Sequence, residues 1–190
     1  GELSGAVAEA QTVIEDEHTH ETELIELIDE ERLQYTGSMV LGLNDALVEL
    51  TGALAGLTLA LQDTELIALS GSVTGIAAAF SMAASEYLST KAEETNKKPV
   101  RASMYTGGAY LITVLILISP YFFPLHYLIS LLCTIIAAVI IIFVFNFYIA
   151  VSKDMSFKRR FTEMALLSLS VAALSFGIGF ALRKITGIEA

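Results

Sequence analysis

Two acidic side chains lie inside a stretch of the sequence that is otherwise apolar enough to cross a membrane. The stretch covers residues 39–61, and the two acids are Asp45 and Glu49. A helix here would place Asp45 about 9 Å and Glu49 about 15 Å from its start, on one face, because they are four positions apart. A side chain near the end of a span can reach the interface, but Glu49 is too deep for that. Because buried charge costs on the order of 3 kcal/mol, the pair predicts a cation site or a hydrated path.

The composition is that of an integral membrane protein. Of the 190 residues, 54% are hydrophobic and only 17% are charged, which is unlike a soluble domain. We therefore predict an all-α polytopic membrane protein with a transmembrane transporter domain over residues 38–190. Five apolar segments are long enough to span a bilayer, at residues 39–61, 66–88, 104–123, 127–150 and 161–182.

The acidic N-terminal segment, residues 1–37, is predicted to be a long amphipathic helix on the cytoplasmic side. Residues 1–31 hold eleven of the 21 acids and no Lys or Arg, and the formal net charge is −10. Such a surface favours cations and argues against a nucleic-acid partner. Glu-x-x-His on one helical face is half of a di-iron motif, although a solvated acidic helix would show the same residues. The candidate ligands in this segment are Glu15, Glu17, His18, His20 and Glu21.

The basic residues predict the orientation of the chain in the membrane. Loops two and four hold eight of them, whereas loops one and three hold none. The positive-inside rule places loops two and four and the N-terminus in the cytoplasm, and the C-terminus outside. The eight residues are Lys91, Lys97, Lys98, Arg101, Lys153, Lys158, Arg159 and Arg160.

The second span adds two side chains that could bind a metal ion. With this topology, Met82 and Asp45 both lie about 9 Å from the cytoplasmic surface, Glu86 lies nearer to it, and Glu49 lies deeper. A thioether beside carboxylates favours Fe²⁺ over Mg²⁺ or Ca²⁺, although a methionine at this spacing is more often a packing residue than a ligand. A carboxylate at depth can also carry a proton. Five helices are few to enclose a polar path, so we expect a homodimer.

Two motifs give this chain a resemblance to a known family. Gly-Leu-Asn-Asp-Ala-Leu-Val at residues 42–48 and Ser-Met-Ala-Ala-Ser-Glu-Tyr-Leu at residues 81–88 resemble the first two spans of the vacuolar iron transporter family. The resemblance covers about residues 38–185. It implies a homodimer that moves Fe²⁺, and often Mn²⁺, out of the cytosol in exchange for protons. Asp45 and Met82 match the family's intramembrane metal path, and Glu86 falls at its inner mouth.

The N-terminal segment carries a second resemblance. Residues 15–21 are similar to the last helix of the ferritin-like, rubrerythrin-type domain that is fused to some prokaryotic members of the family. The leading hypothesis is thus a transporter in the cell membrane rather than an enzyme. The alternatives are a membrane-anchored ferroxidase that uses the Glu-x-x-His segment, and a metal-sensing or assembly scaffold.

Overall fold

The computed structural model describes residues 35–93, 97–152 and 156–186. The chain divides into two units, Gly1–Gly37 and Ser38–Ala190, and the described residues belong to the second unit apart from the first three residues of the first helix. The predicted N-terminal helix, with its five candidate ligands, lies outside the described residues.

All regular structure in the described residues is helical, as the composition predicts. Each of the five long helices is long and apolar enough to cross a membrane, which confirms the five predicted spans. A short 3-10 helix, Ser119–Phe122, follows the third of them. The helices are α1 (Tyr35–Leu61), α2 (Thr64–Ala92), α3 (Pro99–Ile118), α4 (Tyr127–Ser152) and α5 (Phe157–Thr186).

The connection between α1 and α2 is only two residues long. Gln62 has a positive φ of 51° and ends α1. Asp63 then begins α2, because its carboxylate accepts hydrogen bonds from the backbone N–H groups of Glu65 and Leu66 at 2.9 and 3.0 Å. This is a standard N-terminal cap. So short a connection makes α1 and α2 antiparallel neighbours, as the sequence predicts.

The helix α1 occupies the middle of the bundle. Its residues Ala46, Leu47 and Leu54 are fully buried, and they share one hydrophobic core with side chains of α2, α3, α4 and α5. The Ser168 hydroxyl of α5 donates to the Leu47 carbonyl oxygen at 2.9 Å. The acids of α1 are therefore carried on a helix that the rest of the chain holds on several sides.

Glycines at two positions let the backbone of α1 pack closely against the backbones of α3 and α5. A Cβ at Gly42 would lie 2.2 Å from the carbonyl oxygen of Thr106 in α3, and one at Gly179 in α5 would lie 2.2 Å from that of Gly56 in α1. No real side chain tolerates such a contact with backbone, so both positions require glycine. Close packing of this kind is typical of membrane helices.

Candidate functional site

The carboxylate of Glu86 is joined to the start of α1. The Ser38 hydroxyl donates to Glu86 Oε1 at 2.5 Å, and the Ser38 carbonyl oxygen accepts a hydrogen bond from the Thr106 hydroxyl at 2.9 Å. Ser38 is only 2% exposed. The buried Ser38 therefore orients the Glu86 carboxylate. Because Glu86 is only half-buried, its carboxylate is also accessible, as a ligand at the entrance of a path would need to be.

This contact also sets the depth of the other candidates. Glu86 lies beside Ser38, and Asp45 is seven residues further along α1, or about 10 Å deeper. Met82 precedes Glu86 by four residues on the antiparallel α2, which places it about 6 Å deeper than Glu86. Met82 is half-buried and packs against the shared core. Met82 therefore lies between Glu86 and Asp45 in depth. It is less than one helical turn shallower than Asp45, whereas the ends of the two spans predict the same depth for both.

Asp45 and Glu49 lie one turn apart on α1, as the spacing predicts. Asp45 is half-buried, whereas Glu49 is exposed on the surface of the chain. Neither carboxylate has a cationic partner among the described residues. Two acids at this separation repel each other when both are ionised, and a cation or a proton between them removes the repulsion.

Tyr110 is the residue of this site that sequence reasoning missed. Its hydroxyl donates to Glu49 Oε2 at 2.7 Å, and its ring is buried in the core at 1% exposure. Tyr110 lies eleven residues after the start of α3 and Glu49 eleven residues after Ser38, so both are about 16 Å deep. A matching depth in two parallel spans, the first and the third, is the signal in the sequence that could have found the pair.

The described part of the chain does not contain a complete metal cluster. Within it, no group of three His, Cys, Asp or Glu side chains comes together. The four candidates lie instead at successive depths, in the order Glu86, Met82, Asp45 and Glu49, down to about 16 Å. Carboxylate oxygens with one thioether suit a borderline divalent ion that passes through weak sites, more than a resident metal held in a closed cage.

The comparison with known families bears on this same part of the chain. Residues 36–98 match the model of the VIT family, and the match spans α1, α2 and the connection between them. It includes all four candidate positions of the membrane path. A comparison with curated proteins gives no match.

Five apolar helices define the class of a multi-pass membrane protein, and residues 36–98 are similar to a metal-ion transport family. The match confirms the resemblance to the vacuolar iron transporter family over the first two helices, where both motifs lie. The resemblance beyond residue 98 and that of residues 15–21 to a ferritin-like helix stay predictions.

Proposed function

We propose that the chain is a transporter that moves Fe²⁺, and also Mn²⁺, out of the cytosol in exchange for protons. The observation that carries the proposal is the pair of carboxylates on α1, one of them exposed deep in the span and bound by a buried tyrosine. An ionisable side chain at such depth is costly and marks an ion pathway in membrane proteins. The family match to the same helix supports metal ions as the cargo.

The proposed path begins at Glu86. Ser38 holds this carboxylate at the end of the bundle where α1 begins, and Met82 lies one turn deeper on the same helix. The ion then reaches Asp45 and Glu49. Because each position offers only one or two ligand atoms, binding at each is weak enough for the ion to leave, which conduction requires.

Protons are the proposed counter-ion because the path is built from carboxylates. A carboxylate that releases a divalent ion in a poorly hydrated position lowers its energy by taking up a proton. Tyr110 orients the Glu49 carboxylate by donating a hydrogen bond to it. The two carboxylates of α1, Asp45 and Glu49, can thus alternate between a metal-loaded state and a protonated state.

The same exposed acid supports a homodimer as part of the proposal. The chain's own helices leave Glu49 uncovered, and contact with lipid at that depth would be unfavourable. A second copy facing this side of α1 would enclose the carboxylates and supply a second set of ligands. Apolar exposed side chains on α2, among them Val73 and Phe80 at 63% and 72% exposure, offer further surface for lipid or for this partner.

The remaining parts of the proposal concern orientation and supply. We place the chain in the cell membrane, where its basic loops favour a cytoplasmic N-terminus and an external C-terminus. We propose that the acidic segment of residues 1–37 raises the local concentration of metal ions at the Glu86 entrance.

Flux measurements in proteoliposomes test the proposal. Asp45→Asn keeps the size of the side chain and removes its charge, and we expect it to abolish uptake of Fe²⁺ and Mn²⁺. Glu65→Gln is the matched control, because Glu65 is an exposed acid at the α1–α2 connection, and it should transport normally. Metal uptake should alkalinise the lumen in a fixed ratio to the ion moved, because protons leave the lumen as the metal enters. Undiminished flux in Asp45→Asn, or flux without proton movement, would contradict the path or the exchange, respectively.

A further inference from the structure

A polar cleft opens among α1, α4 and α5, away from the α1–α2 contact of Ser38 with Glu86. Its volume is about 530 Å³, and its polar lining consists of Asn44, Asn146, Ser156, Arg159, Arg160 and Glu163. It lies at the end of the bundle where α5 begins, which is also the end where α1 begins. The candidate metal path uses none of these side chains.

The charge of the cleft favours an anion. Two guanidinium groups and one carboxylate line it, and Arg159 Nε donates to Glu163 Oε1 at 2.9 Å. The rest of the Arg159 fork retains its N–H groups for another acceptor. Both arginines also lie in the first turn of α5, where the positive end of the helix dipole favours negative charge.

Asn146 gives the cleft a buried polar wall. The side chain is 5% exposed, and its Nδ2 donates to the Ile142 carbonyl oxygen at 2.8 Å. Among the described residues that is its one side-chain hydrogen bond, so the second amide hydrogen has no acceptor there. A buried amide with spare hydrogen-bonding capacity at the edge of a cleft is satisfied by water or by a bound polar group.

Apolar groups continue from the polar lining. Met164 and Leu167 complete the wall of the cleft. Phe157 and Phe161 flank the two arginines in the sequence and form an edge-to-face cluster with Phe143, at ring distances of 5.2 and 5.9 Å. Phe143 is 49% exposed. A ligand that matches both the basic and the apolar groups carries an anionic head and an apolar chain.

We propose that the cleft binds the phosphate group of an anionic phospholipid. The guanidinium groups of Arg159 and Arg160 would receive the phosphate oxygens, since planar guanidinium forks match phosphate geometry. The Asn146 amide would donate from the inner wall, and the acyl chains would lie along the phenylalanine cluster. Basic pockets between membrane helices on the cytoplasmic side bind acidic headgroups in this manner. The proposal is independent of which ion the protein transports.

Lipid binding to the purified full chain in a neutral detergent tests the proposal. The probes are phosphatidylglycerol and phosphatidylcholine with the same acyl chains, followed by native mass spectrometry and by the shift in Tm. We expect phosphatidylglycerol to bind and to raise the Tm, and phosphatidylcholine to do neither. Arg160→Gln should weaken phosphatidylglycerol binding by about tenfold or more, as expected for a lost charge-assisted hydrogen bond.

Two further variants make the result specific. Lys158→Gln removes the same charge from the same turn of α5 but lies outside the cleft lining, and it should bind nearly as the parent chain does. Arg160→Lys keeps the charge but removes the planar guanidinium group, and it should bind phosphatidylglycerol with intermediate affinity. This variant still tests the proposal if Arg160→Gln folds poorly. Equal weakening in Arg160→Gln and Lys158→Gln would overturn the proposal, as would equal binding of the two lipids.

Inorganic phosphate distinguishes the source of the ligand. If the lipid is the ligand, millimolar phosphate alone should leave the Tm unchanged. If phosphate alone raises the Tm and requires Arg160, the cleft recognises phosphate but takes it from solution, and the assignment to lipid is overturned.

Discussion

Replacing Tyr110 by Phe isolates the role of one hydroxyl in the proposed path. The ring is 1% exposed, and Phe fills nearly the same volume, so we expect the fold to persist. The hydroxyl donates to a carboxylate at 2.7 Å, and a hydrogen bond to a charged group contributes about 1.5 to 3 kcal/mol. If the bond forms in the transport-competent state and not in the preceding one, metal flux should fall by about tenfold to a hundredfold.

A second buried tyrosine provides the matched control. Tyr121 is 2% exposed, and its hydroxyl shares a 2.7 Å hydrogen bond with the neutral Thr58. Tyr121→Phe therefore removes the same atom from an equally buried ring without touching a carboxylate. Mn²⁺ uptake into proteoliposomes, with Tm in detergent as the measure of folding, should show a loss of flux in Tyr110→Phe only.

The double variant decides whether Tyr110 acts through Glu49. With Glu49→Gln already in place, Tyr110→Phe should lower the flux little further, because the two changes remove the same interaction. Additive losses would refute the reasoning, since Tyr110 would then act elsewhere. Equal losses of flux in Tyr110→Phe and Tyr121→Phe would refute it as well, by tracing the effect to general destabilisation.

Three further substitutions test the packing and the entrance of the path. Gly42→Ala should destabilise the chain by about 1 to 3 kcal/mol and lower its Tm, because the new methyl group meets the Thr106 carbonyl oxygen. Ser38→Ala should raise the metal concentration needed for half-maximal flux by about threefold to tenfold, because Glu86 loses the donor that orients it. Thr51→Val should keep or raise the Tm, because Thr51 Oγ1 is buried and has no partner among the described residues.

Each of these changes has a control elsewhere in the chain. Gly108→Ala should be tolerated, because its Cβ would meet no atom within 4 Å. Ser170→Ala removes a hydroxyl from an exposed position of α5 and should leave the flux unchanged. Thr58→Val should lower the Tm where Thr51→Val does not, since Thr58 is hydrogen-bonded to Tyr121. A tolerated Gly42→Ala would contradict the close contact of α1 with α3.

The hydropathy of the sequence predicted the membrane helices because each is a long apolar run. The helix ends were less predictable: α5 begins at Phe157, four residues before the predicted span, because the helix includes Lys158, Arg159 and Arg160 before the apolar run begins. Helical geometry also placed Asp45 and Glu49 on one face, since their spacing within a single helix fixes their relation.

Contacts between helices were less accessible from the sequence. The links of Ser38 to Glu86 and of Tyr110 to Glu49 depend on how each helix is rotated about its axis, and hydropathy does not specify this where both faces are apolar. The Met82 level was predicted from span ends, whereas the Ser38–Glu86 contact places Met82 nearer the surface than Asp45. The family motifs identified Asp45, Met82 and Glu86, but not the neutral side chains that orient the carboxylates.

The most direct test of the central claim is an anomalous-scattering map from crystals of the full chain soaked in Mn²⁺. We predict peaks within coordination distance of Asp45 and Glu49, at about 2.0 to 2.6 Å from a carboxylate oxygen, with a further peak between Met82 and Glu86. Peaks confined to other acids, with none along this face of α1, would contradict a metal path through the membrane at these residues.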